Sequence, residues 1–253
     1  MPKISLDQFE ALVADPATSD EDLAEYFILD EERSGPFAPV YTINPEKVEI
    51  PPGPEGDQRS AVAMNAANWF AHTRRIGRYY AKVNSGYKGP IIVSEGDSWF
   101  QYPVRLHDTI DKLMERYAVY SLGAAGDLLE NMARKQEYLR GLHTTGASIL
   151  LLSGGGNDLV AGGALADYLE RFDVDLRPGD YLKPNFQGLL DNAFGYYEKI
   201  CRQVLGAFPR TQILCHGYDY PVPASGRWLG KPMKTRGIRN PQLQNAIAAE
   251  MMD

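Results

Sequence analysis

Cysteine is scarce: the 253 residues contain Cys201 and Cys215 and no others. Two thiols build neither a disulfide framework nor a four-thiolate zinc site, and as free thiols they fit a reducing compartment. Basic charge is not in excess either. Twenty-six Lys and Arg stand against 33 Asp and Glu, a net charge of −7. Phosphate-backbone binding needs a basic face, and docking on anionic lipid needs basic clusters. Neither a nucleic-acid partner nor a membrane partner is therefore expected. No apolar run approaches the length of a membrane span. The opening residues, MPKISLDQFEALVAD, lack the apolar stretch of a secretory signal and carry acidic residues early. A cytoplasmic location is the expectation. Hydrophobic residues at 44% and charged residues at 23% are ordinary for a globular chain, which excludes disorder over the whole length.

The pattern along the chain divides it near residue 58. Residues 1–58 read as an N-terminal helical extension. Ser5 followed by Gln8, and Thr18 followed by Glu21, are capping-box patterns that start short helices. Between Ser34 and Asp57, Pro and Gly accumulate, ending in PPGPEGD at 51–57, which reads as a linker or an arm on a domain surface. Residues 59–253 read as one domain. It opens with a helix over 59–84, where Val62, Ala66, Trp69, Phe70, Ile76, Tyr80 and Val83 recur at helical spacing. From Gly89, short apolar runs alternate with helical stretches. The runs are Ile91 to Val93, Ala118 to Tyr120, Ile149 to Leu152, and Ile213 with Leu214. Runs of this kind suit strands covered on both faces, and strand–helix–strand repetition predicts a parallel, doubly wound sheet. Helical patterns fall at Ile110 to Met114 and Leu128 to Leu139. The interval from Asp158 to Asn192 reads either as a loop that shapes a site or as a surface elaboration. A last helix starts at Asn240-Pro241, with Asn as N-cap and Pro at the first helical position.

Chemistry is expected at the strand ends. Each apolar run is followed at once by small and polar residues: Ser94 to Trp99, Gly123 to Asp127, Ser153 to Asp158, and Cys215 to Tyr220. In an open parallel sheet these four stretches meet at the carboxyl edge, where ligands bind. Their types suit acyl transfer. Ser98 follows a strand and can serve as a nucleophile. The backbone N–H groups of Ser98 and Gly126 and the Asn157 amide can receive a developing oxyanion.

In this order and spacing, Gly96-Asp97-Ser98, Gly126 and Gly155-Gly156-Asn157-Asp158 resemble blocks I, II and III of the SGNH (GDSL-type) hydrolase superfamily, over about residues 88 to 222. The resemblance implies a flavodoxin-like three-layer α/β/α sandwich. It implies hydrolysis of a carboxylic ester or acylated small molecule through an acyl-enzyme, with no metal or cofactor. Ser98 would be the nucleophile, and Ser98, Gly126 and Asn157 the oxyanion hole. Asp97, Trp99, His216 and Tyr218 are expected as substrate contacts. The family's Asp-x-x-His block is missing: none of His72, His107, His143 and His216 has an Asp three residues earlier. The expectation drawn from this, and from a last helix without a stop signal, is that the sequence is truncated and the catalytic histidine lies beyond it.

Other readings stand beside this one. Ser98 alone suits a helix N-cap. The glycines at 154–156 suit a plain turn, and they lack the patterns of a phosphate-cradling loop. Asp158 suits a structural role on backbone N–H groups. His216 is either wall or a substitute base oriented by Asp219, His107 a loop residue or substrate contact, and His72 and His143 surface residues. Trp99, Phe100, Tyr102, Tyr218 and Tyr220 suit an acyl or aryl pocket or ordinary packing. The basic stretch from Arg227 to Arg239 reads as a solvated face. A catalytically inactive binding or interaction module on the same fold is the alternative function. A flavin or nucleotide binder is a third.

Overall fold

The computed structural model describes residues 3–15, 17–34, 39–50, 66–102, 107–160, 164–223 and 228–252. The first fifty residues carry their own small core. Strand β1 (Ile4–Ser5) leads into helix α1 (Leu6–Ala14), followed by α2 (Asp20–Ala24), β2 (Phe27–Leu29), β3 (Tyr41–Ile43) and β4 (Val48–Glu49). Ser5 and Gln8 form the expected reciprocal capping box. The second helix is capped differently from the sequence reading. Ser19, not Thr18, accepts the N–H of Asp22 and starts α2. The stretch read as an arm contains two strands. β3 pairs antiparallel with β2, and β4 pairs parallel with β1. Tyr41, Ile43 and Val48 bury against Leu6, Phe9, Leu23 and Phe27. The PPGPEGD segment and residues 59–65 of the expected helix lie outside the described residues.

Helix α3 (Ala66–Asn84) links this unit to the main sheet. Arg74 donates to the carbonyl of Thr18, and Tyr79 packs edge-on against Tyr120 at 5.2 Å. The sheet contains β5 (Ile91–Glu95), β6 (Ala118–Ser121), β7 (Ile149–Leu152) and β8 (Gln212–Cys215), all parallel, in the order β6-β5-β7-β8. The side-chain period of two splits the strands between two faces. On one face Val93, Leu150 and Leu152 bury against α5 (Leu129–Lys135), α6 (Glu137–Thr145) and α8 (Phe186–Ala207), through Met132, Leu142, Ile200 and Val204. On the other, Ile92, Val119 and Leu151 bury against Phe100 and α4 (Thr109–Arg116). The chain is thus a three-layer α/β/α sandwich with the flavodoxin-like strand order. The winding direction reverses between β5 and β7, and in open α/β sheets ligands bind outside the carboxyl ends of the strands at such a point.

Three details depart from the sequence pattern. The helical stretch from Leu128 to Leu139 breaks at Gln136, whose φ of 54° ends α5 and starts α6. β8, read as a covered strand, is the sheet edge among the described residues, and Leu214 stands 53% exposed. The interval after Asp158 is a third core. Around a single helical turn, α7 (Gly156–Leu159), Leu165, Leu169, Tyr181 and Phe186 pack on α9 (Gly230–Thr235) and α10 (Pro241–Glu250) through Met233, Ile247 and Ala248. Asn240 caps α10 as expected, accepting the N–H of Leu243.

Arg75 of α3 is the buried tie between the layers. Its guanidinium donates to Asp108 at 2.6 Å and Asp111 at 2.8 Å, and to the carbonyl of Phe100 in the loop after β5. Removing one partner of a buried charged group strands the others. Arg75→Ala is expected to lower stability by about 3–5 kcal/mol. The check is the urea unfolding midpoint; a change within experimental error would refute the tie.

Candidate active site

The carboxyl ends of the strands bring the four polar stretches together. β5 ends in Glu95-Gly96-Asp97-Ser98. Gly96 is required there by packing: a Cβ on it would lie 2.9 Å from Ser153 Cβ and 3.0 Å from the Ser153 carbonyl. This closeness follows from register. Glu95 pairs with Leu152, so the next residues, Gly96 and Ser153, run side by side. The chain then turns sharply, with Phe100 N–H and Gln101 N–H both donating to the Asp97 carbonyl. Ser98 sits on this turn, buried at 6% exposure.

Asp97 was expected among the substrate contacts, but the structure puts it underneath the site. Asp97 is 1% exposed, and its carboxylate already has three hydrogen-bond partners. Oδ1 accepts from Trp99 N–H at 3.1 Å and contacts Ser153 Oγ at 3.2 Å, and Oδ2 accepts from the Tyr218 hydroxyl at 2.9 Å. Burial, the largest influence, pushes the Asp97 carboxyl above its ordinary range against the pull of these donors. Tyr218 likewise uses its hydroxyl within the protein, since it also accepts Gly156 N–H at 3.3 Å.

The other two candidate oxyanion residues stand on neighbouring loops. Gly126 has φ +84°, a left-handed conformation that glycine adopts freely. Asn157 lies in α7, and its Nδ2 donates to the Asp127 carbonyl at 3.0 Å. A primary amide has two hydrogens on nitrogen, so one remains for a ligand. Asn157 Oδ1 is buried with no partner among the described residues. Asp158 accepts Leu129 N–H at 3.3 Å, the backbone-holding role expected of it. Asn157 and Asp158 together pin the β6 loop to the β7 loop.

His216 follows β8 and comes to the same edge. Of its two readings, wall or base oriented by Asp219, the pairing with Asp219 is not formed. Asp219 accepts from Tyr220 N–H, whereas His216 Nε2 lies 2.8 Å from Ser153 Oγ and Nδ1 lies 3.0 Å from the Gly217 carbonyl. The next-but-two spacing suggested an orienter, but the local turn spends the Asp219 carboxylate on its neighbour. Aromatic rings surround the imidazole. Trp99, 48% exposed, stands edge-on to both His216 and Tyr218 at 6.2 and 5.7 Å, while Phe100 belongs to the core below. Tyr220 is exposed. The remaining histidines lie elsewhere. His107 pairs with Glu21 of the N-terminal unit at 3.2 Å, and His143 is exposed. His72, read as a surface residue, is half-buried on α3, and burial lowers its pKa.

Two residues with chemistry were not singled out from the sequence. Ser153 bridges His216 and Asp97; its signal was its place one residue past β7, in register with Gly96. Glu95 ends β5 with its side chain buried beside the acidic Asp127 and Glu137. It accepts Gly96 N–H at 3.2 Å.

No protein-family model matches the chain, and no curated protein matches its sequence. Solved structures similar in part include the following two. A protein described as a platelet activating factor from Streptococcus pneumonia is 12% identical, with a TM-score of 0.37, over 74% of this chain and 75% of that one. A protein described as a GDSL-like lipase from Parabacteroides merdae ATCC 43184 is 16% identical, with a TM-score of 0.29, over 65% of this chain and 75% of that one.

Glu95 yields a prediction on pH. Its carboxyl is held well above 4.5, first by burial and then by Asp127 and Glu137. A carboxyl whose folded pKa is raised stabilises the fold at low pH, and that contribution is lost as pH rises through the folded value. Glu95→Gln keeps an acceptor for Gly96 N–H and removes the ionisation. The variant is expected to be more stable than wild type at about pH 8, with the gap closing below the ordinary carboxylate range of about 4.3. Urea midpoints at both ends of this range check it; a gap independent of pH would contradict it.

Proposed function

We propose that the chain is a serine hydrolase of the SGNH (GDSL) type that cleaves carboxylic esters through an acyl-enzyme on Ser98. The observation that supports the reading is that the stretches carrying Ser98, Gly126 and Asn157 follow β5, β6 and β7 and are tied to one another, Ala124 N–H donating to the Gly96 carbonyl and Asn157 Nδ2 to the Asp127 carbonyl. Ser98 Oγ attacks the ester carbonyl. The oxyanion is received by the N–H groups of Ser98 and Gly126 and by Asn157 Nδ2, whose second hydrogen is already committed to Asp127. Donors fixed before the reaction stabilise charge without reorganisation, and each is worth about 2.7–4 kcal/mol of barrier. Collapse expels the alcohol, which takes up the proton that Ser98 gave up, and leaves the acyl group on Ser98; water then releases the acid and returns a proton to Ser98 Oγ. Trp99 and Tyr218 offer an aromatic wall for the acyl or alcohol part. A small ester or acylated molecule in a cytoplasmic setting fits the charge and composition.

The nucleophile's proton needs an acceptor. The Asp-x-x-His block is absent from the sequence, and His216 is the histidine that stands at this edge. Its Nε2 is directed at Ser153, and this specific observation favours a second reading. In that reading the site binds an ester without turning it over, as a binding module on the same fold.

Hydrolysis of a short p-nitrophenyl ester separates the two readings. The hydrolase reading predicts turnover that falls by more than about 10³-fold in Ser98→Ala and by about 10²–10³-fold in Asn157→Ala. Turnover retained in Ser98→Ala would sink the assignment to Ser98. Saturable binding of the ester without turnover by the wild type would favour the binding module.

A further inference from the structure

The end of β7 places a hydroxyl between an imidazole and a buried carboxylate. His216 Nε2 is 2.8 Å from Ser153 Oγ, and Ser153 Oγ is 3.2 Å from Asp97 Oδ1. Asp97 and Ser153 are both closed off from solvent. The outer ends of this array are already committed. His216 Nδ1 faces the Gly217 carbonyl, and a carbonyl only accepts, so Nδ1 carries a hydrogen. Asp97 Oδ2 accepts from Tyr218, and Oδ1 also accepts from Trp99 N–H.

The hydrogens can then be counted. The His216–Ser153 and Ser153–Asp97 contacts need one hydrogen each. The Ser153 hydroxyl has one to give. The second has to reside on His216 Nε2 or on Asp97 Oδ1. We infer that Asp97, Ser153 and His216 hold one proton in common, and that Ser153 is the positioning residue coupling the imidazole at the sheet edge to the carboxylate beneath it. With the proton on His216, Nε2 donates to Ser153 and Ser153 donates to ionised Asp97. With the proton on Asp97, Oδ1 donates to Ser153 and Ser153 donates to neutral His216. Removing it sets a lone pair against a lone pair at one of the two contacts, which loses that hydrogen bond.

The surroundings favour retention. Burial, the largest cause, raises the Asp97 carboxyl above 3.8. Tyr218 and Tyr197 face Asp97, and burial raises both phenols, so they stay neutral. Asp158, itself raised mainly by burial, adds a like-charge influence with Asp97. Cys215, next to His216 in the chain, is raised by burial and stays a thiol. The rings of Trp99 and Phe100, which do not titrate, pack on the imidazole. The inference rests on this geometry and not on ester hydrolysis, so each can fail without the other.

The test is a pH titration of the full chain by NMR, with labelled His and Asp, following His216 Cε1–H and Asp97 Cγ. Groups that interact by more than about one pK unit titrate as a pair, and each reporter shows the pair's steps. The wild type is expected to show the same two steps at both positions. Ser153→Ala, and separately Asp97→Asn, are expected to reduce the His216 curve to one step. Unrelated single steps at His216 and Asp97 in the wild type would overturn the inference. So would a His216 curve unchanged by Ser153→Ala in a folded variant. The wild-type curves decide the matter even where a variant fails to fold.

Discussion

A single buried carboxylate organises this molecule. Asp97 takes a hydrogen bond from its own loop at Trp99, contacts the end of β7 at Ser153, and takes another hydrogen bond from the loop after β8 at Tyr218. Three strand ends are thereby gathered on one side chain. Taking a carboxylate out of water is costly unless its lone pairs are filled, and here all three partners are supplied by segments that the sheet already places side by side. Ser98 inherits its position from this arrangement. It is the residue after Asp97, on a turn closed by two backbone hydrogen bonds to the Asp97 carbonyl. Arg75 holds the far end of the same loop through Phe100.

Much of the fold was legible because it is local. The apolar runs at 91–93, 118–120 and 149–152 are strands, and their burial on two faces follows from consecutive apolar positions flanked by helical patterns. The GDS and G-x-N-D stretches lie at one edge of the sheet, since residues that follow parallel strands all fall at its carboxyl edge. What was not legible depends on partners distant in sequence. Tyr41 and Val48 are core because β2 and β1 reach them, which no pattern within 34–57 announces. The interval after Asp158 is packed because α9 and α10, beyond β8 in the chain, cover it. The pairing of His216 with Ser153 rather than Asp219 is likewise a fact of the sheet, not of the sequence next to it.

The site divides into two halves of different character. The half that would stabilise charge is built from backbone and amide donors on loops pinned by Asn157 and Asp158 to the chain at Asp127 and Leu129. Such donors need no titration and are ready at any pH at which the fold persists. The half that would move a proton is a hydrogen-bonded array whose hydrogens must be counted together. His216 is bound to a hydroxyl that is bound to the organising carboxylate. The same Asp97 that sets the geometry of the Ser98 turn thus also reaches the imidazole, and position and proton are coupled through one group.

The central claim is that Ser98 is a nucleophile primed by this edge. A fluorophosphonate probe tests it most directly, because it reacts with an activated serine irrespective of the natural substrate. Intact-mass measurement followed by peptide mapping should find one phosphonyl adduct per chain, on Ser98, and none after prior denaturation. Absence of an adduct on the folded protein, or labelling at another serine with Ser98 untouched, would contradict the account.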